Sequence, residues 1–273
     1  MGTTSWIVPG SQTIELDAVG SVRVQLIGGR ASVVGADVPG ARIEVQDVVG
    51  HPVEVRLDGD SLSVGYPFLG WDGWLKRLHS YRAKDSAEVR VVVPRGTGVK
   101  LGTVLADIDV SGLREDLAVG TASGRVRVAD VHGSADLKTV SGAVAVENHE
   151  GTVRINSVSG AVEARGAFPR AEISTVSGAV TVENRLGTSV VSVNTVSARI
   201  GIDLPAGSGL VLTARSVSGK VVVDTIDRGG AGITSLEEKH GEAACWLSTN
   251  TVSADVEIRR GRATGPVDDA AVG

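Results

Sequence analysis

The chain has 273 residues, of which 36 are glycine, 42% are apolar and only 3% are aromatic. Glycine is roughly twice its usual share, but it does not recur at every third position and there are only 8 prolines, which excludes a collagen helix. The apolar content and a net charge of −5 exclude a long disordered chain, Cys245 as the single cysteine excludes an internal disulfide framework, and the 27 basic and 32 acidic residues form no stripe of the kind a nucleic-acid surface requires.

Residues 1–66 open without a basic, apolar leader and read as short strands: QTIEL, SVRVQLIG, ARIEVQ, VEVRLDG and SLSVGY. Asp58-Gly59-Asp60 between the last two predicts a hairpin turn. This section is expected to cap the fold or to form its irregular first coils. Residues 67–86 break the pattern. They hold Phe68, Trp71, Trp74 and Tyr81, half of all aromatic residues, beside Lys76, Arg77 and Arg82. Trp71, Trp74, Leu75 and Leu78 fall at helical spacing, which predicts a short helix laid over the fold. The sharper alternative is an exposed contact for a membrane surface or a partner, made by Phe68, Trp71, Trp74, Lys76 and Arg77.

From residue 87 to 260 the chain repeats itself. TASGRVRV begins at Thr121, TVSGAVAV at Thr139, SVSGAVEA at Ser157, TVSGAVTV at Thr175, TVSARIGI at Thr195, SVSGKVVV at Ser216 and TVSADVEI at Thr251. The shared serines are Ser123, Ser141, Ser159, Ser177, Ser197, Ser218 and Ser253, at spacings of 18, 18, 18, 20, 21 and 35. Apolar residues alternate behind each serine, as in Val144 and Val146 or Val180 and Val182, which is the period of a half-buried strand. A unit of 18 is under half a propeller blade and fits one turn of a solenoid. The predicted fold is therefore all-β: a single-stranded parallel β-solenoid, right-handed by the crossover preference, of about 18-residue coils behind a strand-rich N-terminal cap. Stacking would place Val140, Val158, Val176, Val196, Val217 and Val252 in one inward ladder and the serines in a structural ladder at the corner. Gly124, Gly142, Gly160, Gly178 and Gly219 would supply unusual backbone angles there. The long last spacing predicts a coil with an insertion, or two coils whose middle corner has lost the motif. The insertion is placed near 225–249, where Glu237, Glu238, His240, Cys245 and Trp246 read as a surface turn, and residues 261–273 as a flexible tail.

The xTVSGAVxV repeats resemble the putative-adhesin family of bacterial β-strand-repeat proteins, the domain of unknown function DUF4097. AEVRVVVPRGTGVKLGTVLADIDVSG, from Ala87, is similar to that family's usual opening, and the likeness extends from about Val8 to Arg260. The resemblance implies an envelope association for many members and supplies no catalytic residues.

No nucleotide, metal or nucleophile motif occurs, and the five histidines follow no repeat, so they read as surface groups. No catalytic residue, metal ligand or cofactor is expected. Asp107 and Asp109, with Asp116 and Asp130 in later corners, are the carboxylates that acid–base chemistry on a glycan would use, but the coils lack the aromatic platforms a sugar needs. The expected function is a non-enzymatic scaffold or protein-interaction module, with the cell envelope as the association the resemblance implies. The alternatives are a self-assembling cytoskeletal-like rod, a peripheral membrane-binding protein, and a glycan-binding or glycan-cleaving β-helix. Expected partners are a protein, a second copy, or a membrane surface met through the Trp-rich insertion, with nucleic acid excluded and glycan disfavoured. The expected location is the cytoplasm, with the inner membrane face as its alternative.

Overall fold

Valine-rich segments that alternate with polar residues and are broken by glycine favour short strands buried on one face. The computed structural model describes residues 3–66, 84–229, 232–238 and 244–261, and among them every regular element is a strand. The N-terminal strands are β1 (Thr3–Val8), β2 (Gln12–Leu16), β3 (Ser21–Leu26), β4 (Gly28–Ala36), β5 (Ala41–Val49), β6 (Val53–Asp58), β7 (Ser61–Gly65) and β8 (Ser86–Pro94). Paired strands then follow: β9 (Gly98–Thr103) with β10 (Asp107–Ser111), β11 (Leu117–Thr121) with β12 (Val126–Ala129), and β13 (Ala135–Thr139) with β14 (Val144–Glu150). After these come β15 (Val153–Asn156) with β16 (Val162–Ala167), β17 (Arg170–Thr175) with β18 (Val180–Asn184), and β19 (Ser189–Thr195) with β20 (Arg199–Leu204). The C-terminal strands are β21 (Gly209–Ser218), β22 (Val221–Val223), β23 (Ile226–Asp227), β24 (Gly232–Glu238), β25 (Ala244–Ser253) and β26 (Asp255–Arg260).

These strands form two open, mixed sheets of thirteen strands each. The chain visits them alternately, so each pair makes one two-strand rung, and their inward residues share one apolar core. Through the repeats, residues 18 apart are parallel register partners: Val126 with Val144, Val144 with Val162, Val162 with Val180. The rows of the second sheet and the rows Leu137–Ile155–Ile173–Val193 of the first close on one another from opposite sides. Valine and alanine dominate because the rungs are thin and every inward position is flanked by its equivalents above and below.

The two ends depart from serial stacking. The rung β3/β4 lies between β7/β8 and β9/β10, and antiparallel strands β6, β1, β5 and β2 close that end. The expected hairpin at Asp58-Gly59-Asp60 joins β6 to β7, with Gly59 at φ 63°. Residues 1–66 thus contribute a regular parallel rung, β3/β4, as well as the closing strands. At the other end β25/β26 inserts between β19/β20 and β21/β22, and β24 and β23 run antiparallel outside them. The long last spacing therefore arises neither from a simple insertion nor from a lost corner. The chain skips one place, turns back through a hairpin, and returns to fill the gap. Cys245 and Trp246, expected in a surface turn, lie in β25, where Cys245 is fully buried and Trp246 faces out. His240 and the residues Phe68, Trp71, Trp74, Lys76 and Arg77 lie outside the described residues, as does the helix expected there.

Candidate functional site

The repeated corner is the most regular feature of the surface, and each of its residues has a separate task. The first hydroxyl residue points inward. Thr121, Thr139 and Thr175 accept the N–H of Gly124, Gly142 and Gly178 at 3.1, 2.9 and 3.2 Å, and Ser157 Oγ donates to the Gly160 carbonyl at 2.9 Å. These bonds satisfy backbone groups that the turn removes from the ladder. The glycines answer a different demand from the one expected. Gly124, Gly142, Gly160 and Gly178 do not have positive φ, whereas Gly219 does, at 149°. A Cβ on any of the four would sit 1.9–2.0 Å from the carbonyl oxygen of the rung below. Close backbone approach, not backbone angle, requires glycine there.

The valine ladder is the main correction. Val140, Val158, Val176, Val196, Val252 and Val217 do lie over one another, but they face solvent, with exposures from 38% at Val140 to 70% at Val217. The reason is a change of phase. Leu137 and Thr139 point inward, Val140 and Ser141 both point out, and Gly142 and Val144 point inward again. Two consecutive residues turn the corner outside, so counting by two from Val144 assigns Val140 to the wrong side. Counting forward from Leu137 puts Val140 on its observed side but would turn Ser141 inward, so neither count carries through the corner. The serines sit beside the valines at this outer corner. The backbone there is tied between rungs: Ser159 N–H donates to Val140 O, Ser177 to Val158 O and Ser197 to Val176 O, each at 2.9 Å, and Ser253 to Val196 O at 2.8 Å. Ser218 is the register partner of Ser253, so the ladder runs Ser123, Ser141, Ser159, Ser177, Ser197, Ser253, Ser218.

The outer faces of both sheets carry polar rows. On the second sheet, Arg127 pairs with Glu147 at 2.9 Å, Arg165 with Glu183 at 3.4 Å and Arg259 with Asp203 at 2.7 Å. The Glu147 carboxylate that bonds Arg127 raises the affinity of its guanidinium for the proton, and Asp203 does the same for Arg259. On the first sheet, Arg154 and Arg170 both bond Glu172 and hold its carboxyl below the usual range. A groove of about 620 Å³ crosses that face, with Arg23 and Lys100 as register partners on one side, Ala118 as floor and Asp136 and Arg154 on the other.

Of the four carboxylates considered for glycan chemistry, Asp107 and Asp109 share the outer face of β10, while Asp116 and Asp130 lie in later turns. Asp107 accepts the Arg125 N–H at 2.9 Å, Asp109 lies 3.9 Å from Arg30, Asp116 accepts the Ser134 N–H at 3.2 Å and Asp130 accepts from Asn148. Each links one rung to the next. Among the described residues, no three His, Cys, Asp or Glu side chains are grouped as metal ligands would be.

Not every histidine is a surface group. His149 is fully buried at a bulge in β14, stacked on Phe168 with ring centroids 5.9 Å apart and with Nε2 3.4 Å from the Thr152 carbonyl. Burial lowers its pKa from 6.5, and the carbonyls around it offset this only in part. Cys245 is likewise enclosed, bonded by Ser189 Oγ at 3.3 Å, and burial raises its thiol pKa.

Comparison with known proteins agrees with this architecture. The family model described as Toastrack DUF4097 matches residues 55–259. A solved structure described as a putative lipid-binding protein of Parabacteroides distasonis superposes with a TM-score of 0.51 at 12% identity, covering 93% of this chain and 97% of its own. A putative adhesin of Parabacteroides merdae gives 0.49 at 10% identity, covering 94% and 95%. At 12% identity, the likeness to the first of these speaks to the fold alone. No curated protein matches the sequence.

Proposed function

The chain belongs to the Toastrack DUF4097 family, and from that premise we propose that it is a non-enzymatic interaction module whose rungs wind as a right-handed β-solenoid. One observation carries the reading. Charged side chains on the outer faces pair from rung to rung, and the carboxylates available for acid–base work each bond or pair with a neighbouring rung. A surface of this kind presents an extended, straight array to another macromolecule. The location proposed is the cytoplasm or the inner face of the membrane.

The test is affinity capture with the purified chain, from soluble and membrane fractions kept apart, run beside an assay for turnover of soluble glycans. The reading expects a stoichiometric protein partner and no turnover. Glycan cleavage that disappears in Asp107→Asn/Asp109→Asn would overturn it.

A further inference from the structure

Folding accounts for most of the repeated corner. The buried hydroxyl bonds the turn, the glycine admits a carbonyl, and the last valine fills the core. The exposed valine does none of these things. It is nevertheless valine in six of the seven repeats, with Ala122 in the first. The outward residues at the middle of the next strand drift freely: Arg127, Ala145, Glu163, Thr181, Gly201, Val222 and Glu257. Backbone preference would accept threonine or isoleucine equally well at the corner. An exposed position held at one apolar type while the outward positions of the next strand vary answers to something outside the fold, and contiguous exposed apolar residues mark contact surfaces.

The insertion of β25 between β19 and β21 sets the order of this ridge. In space it runs Ala122, Val140, Val158, Val176, Val196, Val252, Val217, six steps of about 4.8 Å and so about 29 Å long. It is flanked by the serine ladder and by Ala143, Ala161 and Ala179, all exposed. The three central corners, 140–143, 158–161 and 176–179, contain no charged residue.

We propose that this valine ridge is the contact between two copies of the chain, laid ridge to ridge about a two-fold axis. This rests on the interaction-module reading and names one partner for it. Only a surface that repeats at the same interval can engage all the valines together, and a second ridge has that interval. The uncharged centre lets two chains of net charge −5 approach without placing like charges in contact. An antiparallel pairing centred between Val158 and Val176 sets Val140 against Val196 and Ala122 against Val252. It also brings Arg125, at one end of the ridge, to Asp255 near the other. With the polar rows beside it as rim, such a band forms the apolar centre of an interface, for which a standard contact buries roughly 800 Å² per partner.

Sedimentation equilibrium across the micromolar range tests this with three proteins: wild type, Val158→Lys/Val176→Lys on the ridge, and Ala145→Lys/Thr181→Lys on the outer face of the second sheet. The expected result is a dimer for the wild type and the outer-face variant, and half that mass for the ridge variant with an unchanged circular dichroism spectrum. Should the lysines prevent folding, Val158→Ser/Val176→Ser takes their place with the same expected loss. A monomeric wild type, a dimeric ridge variant, or dissociation in both variants overturns the proposal. Wild-type sedimentation with phosphatidylcholine vesicles that the serine variant abolishes would also overturn it, assigning the ridge to lipid. A monomer that still captures a protein partner leaves the interaction-module reading standing while this one falls.

Discussion

Gly160 faces the Gly142 carbonyl, and a methyl group there would lie 1.9 Å from that oxygen, which is backbone and cannot swing away. Gly160→Ala is expected to cost about 1–3 kcal/mol, the usual range for overpacking, read as a lowered urea midpoint. Thr139→Val keeps the shape but strips the acceptor from the buried Gly142 N–H, and about 1–3 kcal/mol is expected from that orphaned donor. Val158, one residue from an inward hydroxyl, should tolerate serine within about 0.5 kcal/mol because it is already exposed. His149 adds a pH dependence. Burial depresses its pKa in the fold, so the unfolded chain binds the proton more readily. Its contribution to stability is complete above the ordinary value of 6.5 and falls as pH drops below it toward the lower folded value. His132 and Glu150 lie nearby and pair with each other at 3.2 Å. His149→Leu should flatten the slope of stability against pH between 5 and 7 by up to one proton, and an unchanged slope would remove His149 as its source. The burial of His149 was not legible in the sequence, because it depends on a bulge between Val146 and His149 that no periodicity announces.

Strand identities were largely readable, since alternation and β-branching point to strands at every repeat. The missed elements are instructive. β4, GGRASVVGA, has three glycines and no clean alternation, yet it pairs with β8 on one side and β10 on the other. The first part of β25 falls within the stretch that reads as irregular. Where β25/β26 is locked in place, the chain uses a polar clamp. The Arg260 N–H donates to Asp224 at 2.8 Å, its guanidinium pairs with the same carboxylate, and Nη1 reaches the Ser208 carbonyl at 3.3 Å. Asp224 itself sits at φ 47° in the turn after β22. The clamp joins the returning rung to the one it slides beneath. Arg260→Ala is expected to destabilise this end by on the order of 1–2 kcal/mol and to raise amide exchange in β21, β22, β25 and β26 ahead of the central rungs. Uniform exchange across all rungs would show that the clamp does not set the order of opening.

At the scale of the whole molecule, the repeat period established that equivalent residues stack, and eight two-strand rungs occupy residues 98–260. It could not establish the order of stacking. A repeat is a serial property of the chain, while neighbours in a sheet are chosen by hydrogen bonding, and two rungs of equal register can exchange places if a connection is long enough. The stretch between β22 and β25 is long enough, and the earlier rung β3/β4 shows the same device at the other end. The consequence reaches the surface, because only this order places Val252 between Val196 and Val217 at the outer corner.

Disulfide capture in paired cysteine variants tests that order most directly, with the buried Cys245 left in place. Ser197→Cys/Ser253→Cys and Ser218→Cys/Ser253→Cys should each close an internal disulfide under mild oxidation, since those corners are neighbours, while Ser197→Cys/Ser218→Cys should not, with a whole rung between them. Ready closure of the 197–218 pair together with failure of the 197–253 pair would mean that the rungs stack in chain order, contradicting both the fold at this end and the order of the valines along the ridge.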